Sequence, residues 1–364
     1  MKRFAAYDPP EYLSWTADPA LVRDFRARVD ADPERAAAIR ALGEEELLAM
    51  YAGLVRNRLH DVALKRWVKN GTISKAWLGT GEEAATIGPV HALRRSGPDH
   101  DVVAPMIRNA GACHEMGMPI ADMLRGYLGT ADSPSFGRDG HVGSVRHGVI
   151  PPISHVGDMV PVTAGVALSF RQRGEDRVAM TWIGDGSTKS AAFHEGINFA
   201  AVQRLPAVVI IHDNQIALGS RPETGGIGPF SEWPRMYGVA GGSFDGNHVL
   251  DGYAAAKLAV DRARAGEGVT LLVAETFRLG GHATHDEREA RMIYDADTFA
   301  RWGKRDPVGL YEAWLEEEGI ARARMEEVEA AVAAEVDAGA EEALRSREAN
   351  MPVGATVTDG VYAA

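Results

Sequence analysis

An aspartate in a glycine turn and an asparagine 29 residues later are the side chains of this sequence best placed to do chemistry together. The aspartate is the centre of Gly184-Asp185-Gly186, and the asparagine is Asn214. A carboxylate and an amide oxygen are hard oxygen ligands of the kind that Mg²⁺ prefers. A helix that begins beside them would add backbone N–H groups suited to phosphate. The pair therefore predicts a site for a divalent cation that holds a diphosphate.

The segment around this pair is predicted to be a strand, a turn, a helix and a second strand. Residues 178–183 and 207–211 are short apolar runs bounded by turn residues, which is typical of buried strands. Residues 190–202 carry apolar side chains at helical spacing. In an open parallel sheet, ligands bind at the carboxyl ends of the strands. These elements therefore deliver Asp185 and Asn214 to the same edge of a sheet.

The composition of the chain narrows its class. Of the 364 residues, 45% are hydrophobic and 25% are charged, which is typical of a globular protein. The net charge of −12 argues against nucleic acid as a partner, because binding a phosphate backbone needs a basic surface. No segment approaches the length of apolar sequence that spans a membrane, so we expect no membrane interaction. The single cysteine, Cys113, is expected to be buried, and with a start that lacks an apolar signal core it indicates the cytoplasm.

Apolar strands alternate with helices along the middle of the chain, which predicts an α/β domain with a doubly wound, mainly parallel sheet. We place this domain at residues 75–290. Residues 1–74 are expected to form an N-terminal arm, loose and with one short helix up to residue 40, and then an amphipathic helix over residues 44–69. Residues 291–364 are expected to form a C-terminal helical extension. Within the domain we predict strands at 102–104, 178–183, 207–211 and 269–274, and helices at 121–128, 160–172, 190–202 and 252–265.

Two long loops have few apolar residues at regular spacing. They span residues 134–148, which include His141 and His147, and residues 219–229. Loops of this length in a compact domain are often active-site lids or subunit contacts, although a surface excursion is an equal alternative.

Together these residues resemble the alpha subunit of the thiamine-diphosphate-dependent, decarboxylating component of 2-oxo-acid dehydrogenase complexes, of the pyruvate and branched-chain types. The resemblance runs from about Leu47 to Pro352 and implies the diphosphate-binding type of the thiamine-diphosphate fold. Its motifs are Gly81-Glu82-Glu83-Ala84, Ile107-Arg108, Gly137-Arg138, Val156-Gly157-Asp158-Met159, Gly184-Asp185-Gly186, Phe193-His194-Glu195-Gly196, Asp213-Asn214, Phe244-Asp245-Gly246-Asn247 and Arg278-Leu279-Gly280-Gly281-His282.

The resemblance implies a role for each matching position. Mg²⁺ would be bound by Asp185, the side-chain oxygen of Asn214 and the backbone carbonyl of Ile216, which is the oxygen-only set that this ion prefers. The remaining contacts to thiamine diphosphate would come from Arg108, Val156, Gly184, Gly186, Ser187 and His282. Of these, Gly186 and Ser187 would offer N–H groups to the diphosphate at a helix N-terminus.

His282 matches the histidine of a loop that covers the cofactor, so it is also the catalytic candidate. A histidine there can bond the diphosphate or the incoming substrate, and an ordinary pKa near neutrality suits proton transfer. Ala283 stands where some relatives have a regulatory serine. His141, His155 and His285 lie in neighbouring loops and receive no role.

The resemblance also implies partner chains. Activating the cofactor in this class needs a carboxylate from a second α/β domain, and the segments flanking the predicted domain are too short to form one. We therefore expect a beta subunit, in an assembly of two alpha and two beta chains, and a lipoyl-bearing acyltransferase component. The expected reaction is oxidative decarboxylation of a small 2-oxo acid, with transfer of the acyl group to lipoyl.

Some positions depart from the family's pattern. Ile107 and Ile216 stand where tyrosine is common, and Trp77 where histidine or tyrosine is common. Ser190 and Ala191 replace a more usual Glu/Gln-Gly pair. Two alternatives therefore stay open: an acetoin dehydrogenase alpha subunit with the same machinery, or a non-catalytic alpha-like structural or regulatory subunit.

Overall fold

One parallel sheet of five strands lies at the centre of the part of the chain that the structure, a computed structural model, describes: residues 1–218, 220–221, 228–356 and 358–359. Its strands are β1 (Val102–Ala104), β2 (Ala179–Gly184), β3 (Ala207–Asp213), β4 (Ala240–Asp245) and β5 (Thr270–Glu275). Their order across the sheet is β1-β2-β3-β5-β4, and all neighbours run parallel. The predicted doubly wound α/β architecture is confirmed.

Fifteen α-helices surround this sheet within the described residues. They are α1 (Pro10–Leu13), α2 (Pro19–Ala31), α3 (Pro33–Arg40), α4 (Glu44–Lys69), α5 (Glu83–His91), α6 (Ala110–Glu115), α7 (Ile120–Leu128), α8 (Met159–Arg173), α9 (Ala191–Val202), α10 (Trp233–Tyr237), α11 (Val249–Arg264), α12 (Glu287–Ala290), α13 (Ala296–Gly303), α14 (Pro307–Glu317) and α15 (Arg322–Ala349).

The sheet is buried on both faces, which explains the apolar runs that marked its strands. Every residue of β2 is buried, and so are the first six residues of β3. A parallel sheet covered by helices on both sides needs apolar side chains at every position rather than at alternate ones. The register aligns Gly184 with His212. The residues that follow them, Asp185 and Asp213, therefore lie at the same carboxyl edge of the sheet.

Two predictions about the fold were wrong. The sequence of β4 carries Gly241 and Gly242, and glycine is depleted in strands, so this edge strand was not predicted. The N-terminal arm is not loose, because α1 to α3 occupy most of residues 10–40. Asp18 and Asp32 cap α2 and α3 by accepting backbone N–H bonds, and Phe25 packs into the core.

Helices from both ends of the chain share one hydrophobic cluster with the α/β domain. It contains Leu54 of α4, Val249 of α11, Tyr311 of α14 and Val336 of α15. The domain boundaries proposed from the sequence, residues 74 and 290, remain a prediction.

Three further expectations concern burial, loops and membranes. Cys113 is buried, as predicted. Of the predicted loop 219–229, residues 219 and 222–227 lie outside the described residues. No helix in the described ranges combines the length and apolarity needed to cross a membrane.

Candidate active site

The glycine turn leaves the sheet at the end of β2 and leads into α9 through a short 3-10 helix. That 3-10 helix spans Asp185–Lys189, and Ser190 caps α9 by accepting the N–H of Phe193 at 3.3 Å. Gly186 and Ser187 lie in the first turn of this 3-10 helix, ahead of α9, and their role towards a diphosphate stays a prediction. The Gly186 N–H is 2.8 Å from Asp185 Oδ1 and donates to it.

Asp185 is buried with one carboxylate oxygen available for a ligand. Its side chain is 4% exposed, and within the described residues Oδ2 has no hydrogen-bond partner. Burial raises the pKa of Asp185, while the Gly186 N–H and the nearby Arg108 act in the opposite direction. Because buried polar atoms are nearly always satisfied in folded proteins, an orphaned carboxylate oxygen fits a cation ligand.

Asn214 follows β3 and lies in a network that fixes its amide. Its Nδ2 donates to Glu82 Oε1 at 2.9 Å, and its Oδ1 accepts the backbone N–H of Ile216 at 3.2 Å. The Ile216 side chain is buried in a cluster with Tyr12 and Phe277. The turn that carries Asn214 and Ile216 is therefore anchored from both sides, which suits a metal-binding turn.

Two guanidinium groups lie beside the glycine turn. Arg108 is 6% exposed and donates through Nε and Nη2 to Glu82 at 3.2 and 3.3 Å. A Cβ atom placed on Gly184 would be 4.0 Å from Arg108 Nη2, so the arginine lies directly over the end of β2. Arg278 is 2% exposed, and in the described part of the chain neither its Nε nor its Nη2 has a hydrogen-bond partner.

The charge on Arg278 is poorly compensated by the protein. Burial, together with the like charge of Arg108, lowers the pKa of Arg278 to about 10. Buried cations are normally paired. Two neighbouring guanidinium groups with free donors therefore fit an anion with several oxygens, such as a diphosphate.

A cavity of about 360 Å³ opens beside this turn. It brings together four of the predicted cofactor contacts, namely Arg108, Val156, Ser187 and His282. Further lining residues are Trp77, Ile107, His141, Ile153, His155, Met159 and His285. The three histidines without a predicted role and two of the departures from the family pattern thus line the same space.

His282 stands on a loop that is held against the start of the domain. Ala76 and Thr284 exchange two hydrogen bonds, and Trp77 forms an isolated bridge with Ala283. Burial, and then the positive charges of Arg108 and Arg278, lower the pKa of His282 to about 4. Without an anion in the site, its imidazole is therefore neutral at pH 7.

Three residues at the site received no role from the sequence. Glu82 and Arg278 appeared only as letters of motifs, and His212 was not among the candidate residues. The available signal was the adjacent pair Glu82-Glu83 directly before the apolar residues of α5, because acidic residues are seldom buried unless they are paired.

Within the described ranges, no group of three His, Cys, Asp or Glu residues could hold a metal ion, so the candidate ligand set depends on amide and carbonyl oxygens.

Comparison with known proteins places the chain in a family. Residues 52–352 match the family described as Dehydrogenase E1 component. The 2-oxoisovalerate dehydrogenase subunit alpha of Bacillus subtilis is 33% identical over 88% of this chain and 97% of its own length. The 3-methyl-2-oxobutanoate dehydrogenase subunit alpha of Mycobacterium tuberculosis is 31% identical over 79% of this chain and 75% of its own.

A third relative extends the likeness to another substrate type. The pyruvate dehydrogenase E1 component subunit alpha of Porphyra purpurea is 27% identical over 85% of this chain and 92% of its own length. The family match covers most of the chain, and the parallel α/β fold is consistent with it. The chain belongs to the dehydrogenase E1 component family.

Proposed function

We propose that this chain is the alpha subunit of a 2-oxo-acid dehydrogenase that binds thiamine diphosphate and Mg²⁺. With a beta subunit it would decarboxylate a 2-oxo acid of the pyruvate or branched-chain type and pass the acyl group to a lipoyl group. The observation that carries the proposal is that, within the described residues, Asp185 Oδ2 and two nitrogens of Arg278 are buried without hydrogen-bond partners. These two side chains lie close enough for their charges to interact.

The residues present fit the cofactor's metal and phosphate groups. Asp185 Oδ2, Asn214 Oδ1 and the carbonyl oxygen of Ile216 would hold Mg²⁺, and Arg108 and Arg278 would hold the diphosphate. When bound, thiamine diphosphate supplies a carbanion that attacks the 2-oxo group and an electron sink for the loss of CO₂. The protein's own task is to bind, orient and shield that group.

His282 would act from the cavity as a neutral imidazole. With a pKa lowered to about 4, it presents one donor and one acceptor nitrogen at pH 7 rather than a charge. A bound diphosphate would offset the charges of Arg108 and Arg278, and the pKa of His282 would then rise towards its ordinary range. In that state the ring can hold a proton at a nitrogen that faces the substrate.

An apolar face on α8 and α9 supports the need for a partner chain. Val162, Phe199 and Val202 are large apolar side chains that stay exposed on these two helices, which flank the glycine turn. Large apolar side chains exposed on two helices that pack against each other suit a protein interface. We propose that a beta chain covers this face and supplies the activating carboxylate, in an assembly of two alpha and two beta chains that works with a lipoyl-bearing acyltransferase.

The test is a reconstitution of the alpha chain co-purified with its beta partner. After removal of cofactor and metal, we expect turnover with an artificial electron acceptor to return only when thiamine diphosphate and Mg²⁺ are both added. Pyruvate, 2-oxoisovalerate and acetoin are compared as substrates in the same assay. Turnover of acetoin alone would identify an acetoin dehydrogenase, and cofactor binding without turnover of any substrate would point to a non-catalytic subunit.

A further inference from the structure

Glu82 occupies the centre of the candidate site without being one of its predicted ligands. It is 2% exposed and immediately precedes α5. Its two carboxylate oxygens receive hydrogen bonds from three side chains, Arg108, His212 and Asn214. Arg108 is also the ion-pair partner of this carboxylate, with 3.2 Å between Nε and Oε2.

The contact with Asn214 decides which atom of the amide faces the metal. An ionised carboxylate can only accept hydrogen bonds, so at 2.9 Å it selects the NH₂ group of Asn214. The amide oxygen must then point away from Glu82, towards the turn that carries Ile216. A metal ion accepts only the oxygen as a ligand, and the NH₂ group would repel it.

The same carboxylate sets the direction of Arg108. It engages Nε and Nη2, so the plane of the guanidinium is fixed over Gly184. Among the described residues, the other terminal nitrogen, Nη1, has no hydrogen-bond partner. Without an acceptor at this position, a buried arginine would turn towards another carboxylate. Asp185 is one such carboxylate, because it lies close enough to Arg108 for the two charges to interact.

His212 completes the arrangement from the sheet below. It is fully buried on β3, with Nδ1 at 3.1 Å from Glu82 Oε1 and Nε2 at 3.2 Å from the carbonyl oxygen of Ala85. The ring therefore links Glu82 to the first turn of α5 and holds the carboxylate in place. Outer residues of this kind keep metal ligands oriented.

We infer that Glu82 is a positioning residue that couples the metal ligand Asn214 to the phosphate-binding Arg108. The inference rests on the proposed function, since it concerns how this site binds thiamine diphosphate and Mg²⁺. It assigns Glu82 no contact with either group. The buried carboxylate acts only through the two side chains that it orients.

The test compares cofactor binding in four forms of the alpha–beta complex by isothermal titration calorimetry. These are the wild type, Glu82→Gln, Asn214→Asp and the double variant. Glutamine keeps one acceptor but turns an NH₂ group towards a donor. We therefore expect the affinity for thiamine diphosphate to fall, and the Mg²⁺ concentration needed for binding to rise, each by about tenfold or more.

The double variant separates orientation from general damage. Asn214→Asp alone sets two carboxylates face to face and should weaken Mg²⁺ binding, whereas adding Glu82→Gln restores a donor opposite an acceptor. We therefore expect the double variant to bind Mg²⁺ better than Asn214→Asp does. At saturating cofactor, the Glu82→Gln complex should recover most of its kcat, because the loss lies in binding.

Glu83→Gln is the matched control, since Glu83 is adjacent, equally buried and turned towards Arg58. It should lower the thermal midpoint and leave the affinity for thiamine diphosphate within about twofold, because its side chain accepts from Arg58 and from the backbone N–H of Gly81 rather than from Asn214 or Arg108. The inference is overturned if Glu82→Gln binds as the wild type does, if it lowers only the thermal midpoint, or if the double variant binds no better than Asn214→Asp. A wild-type complex that fails to bind the cofactor would instead refute the proposed function.

Discussion

Glu82 and Glu83 are neighbouring buried glutamates that begin two different ionic networks. The Glu82 network reaches Arg108 and comes close to Arg278, whose Nε and Nη2 have no hydrogen-bond partner in the described ranges. The Glu83 network reaches Arg58 at 2.5 Å, and Arg58 in turn pairs with Asp306 at 2.9 Å. The first network borders the cavity through Arg108, whereas the second lies among core residues, where Arg58 is 1% exposed. The second network also leaves one buried nitrogen, Arg58 Nη1, without a hydrogen-bond partner in the described ranges.

The same contrast appears in the protonation of the two carboxyls. The charges around Glu82 lower its pKa despite burial. The pKa of Glu83 is raised, because burial and the like charge of Asp306 together outweigh the opposite effect of Arg58. An excess of cations thus surrounds Glu82. That excess suits a site whose ligand is an anion.

The second network ties the N-terminal arm to the domain. Arg3 pairs with Asp306 Oδ2 at 2.6 Å, and the guanidinium of Arg58 lies 4.6 Å from the ring centroid of Tyr12. Tyr12 is also packed with Ile216 and Phe277, behind the candidate metal turn. The network centred on Arg58 therefore stabilises the fold, and the one centred on Glu82 serves the ligand.

Exchanging a buried aspartate in the ligand network should have the largest effect. Asp185→Asn removes the charged metal ligand, so we expect cofactor-dependent turnover to fall to background and binding of thiamine diphosphate to be lost. The thermal midpoint of the cofactor-free complex should stay the same or rise, because the buried carboxylate with its raised pKa and orphaned Oδ2 destabilises the fold. Calorimetric titration and a thermal scan measure the two effects. Undiminished cofactor binding would contradict the assignment of Asp185.

Breaking the other network should reverse this pattern. Arg58→Met removes the partner of Glu83 and Asp306, and breaking a buried ion pair costs about 3–5 kcal/mol. Urea unfolding of the complex measures the loss, while the affinity for thiamine diphosphate below the unfolding transition should change little. Arg26→Met is the control, since Arg26 pairs with Glu317 at the surface and should cost at most about 1 kcal/mol. Equal losses in both variants would refute the role given to the buried network.

Local patterns in the sequence predict part of the fold and part of the candidate site. The strands and the pair Asp185 and Asn214 were found because apolar runs and turn residues are local signals. The edge strand β4 gave no such signal, because its two glycines resemble a loop.

The partners of the two glutamates could not be found in the same way. Arg58 lies 25 residues before Glu83, and Asp306 lies 248 residues after Arg58, so their contacts depend on the packing of α4 and α14 around α5. Nothing local separates Glu82 from Glu83. Only the tertiary structure turns one towards the cavity and the other towards the core.

The pH dependence of stability should show a smaller effect, which comes from His282 at the cavity. Because the pKa of His282 is lowered to about 4 from its ordinary 6.5, the unfolded chain binds more protons between these values, and stability should rise with pH across that window. In His282→Gln this contribution is absent, so the thermal midpoint should depend less on pH. Adding thiamine diphosphate should reduce the difference between the two proteins, because its charge offsets Arg108 and Arg278. An identical pH dependence in both cofactor-free proteins would contradict the lowered pKa.

The smallest expected effect comes from a pair of tyrosine hydroxyls, one in each region. Tyr294 donates to the carbonyl of Gln215 at 2.7 Å, and Gln215, between Asn214 and Ile216, has a positive φ of 67° that needs support from its surroundings. Tyr311 donates to the carbonyl of Leu47 at 3.1 Å, within the core cluster.

Replacing either tyrosine by phenylalanine removes its hydrogen bond to the carbonyl named above, so Tyr294→Phe and Tyr311→Phe should each lose about 1 kcal/mol of stability in urea unfolding. Their effects on the metal should differ. Tyr294→Phe loosens the turn that presents Asn214 and Ile216, so the Mg²⁺ concentration needed for cofactor binding should rise, whereas Tyr311→Phe should leave it unchanged. If both variants lose stability equally and neither alters the Mg²⁺ requirement, the turn is held by its burial alone and Tyr294 belongs with the core rather than with the site.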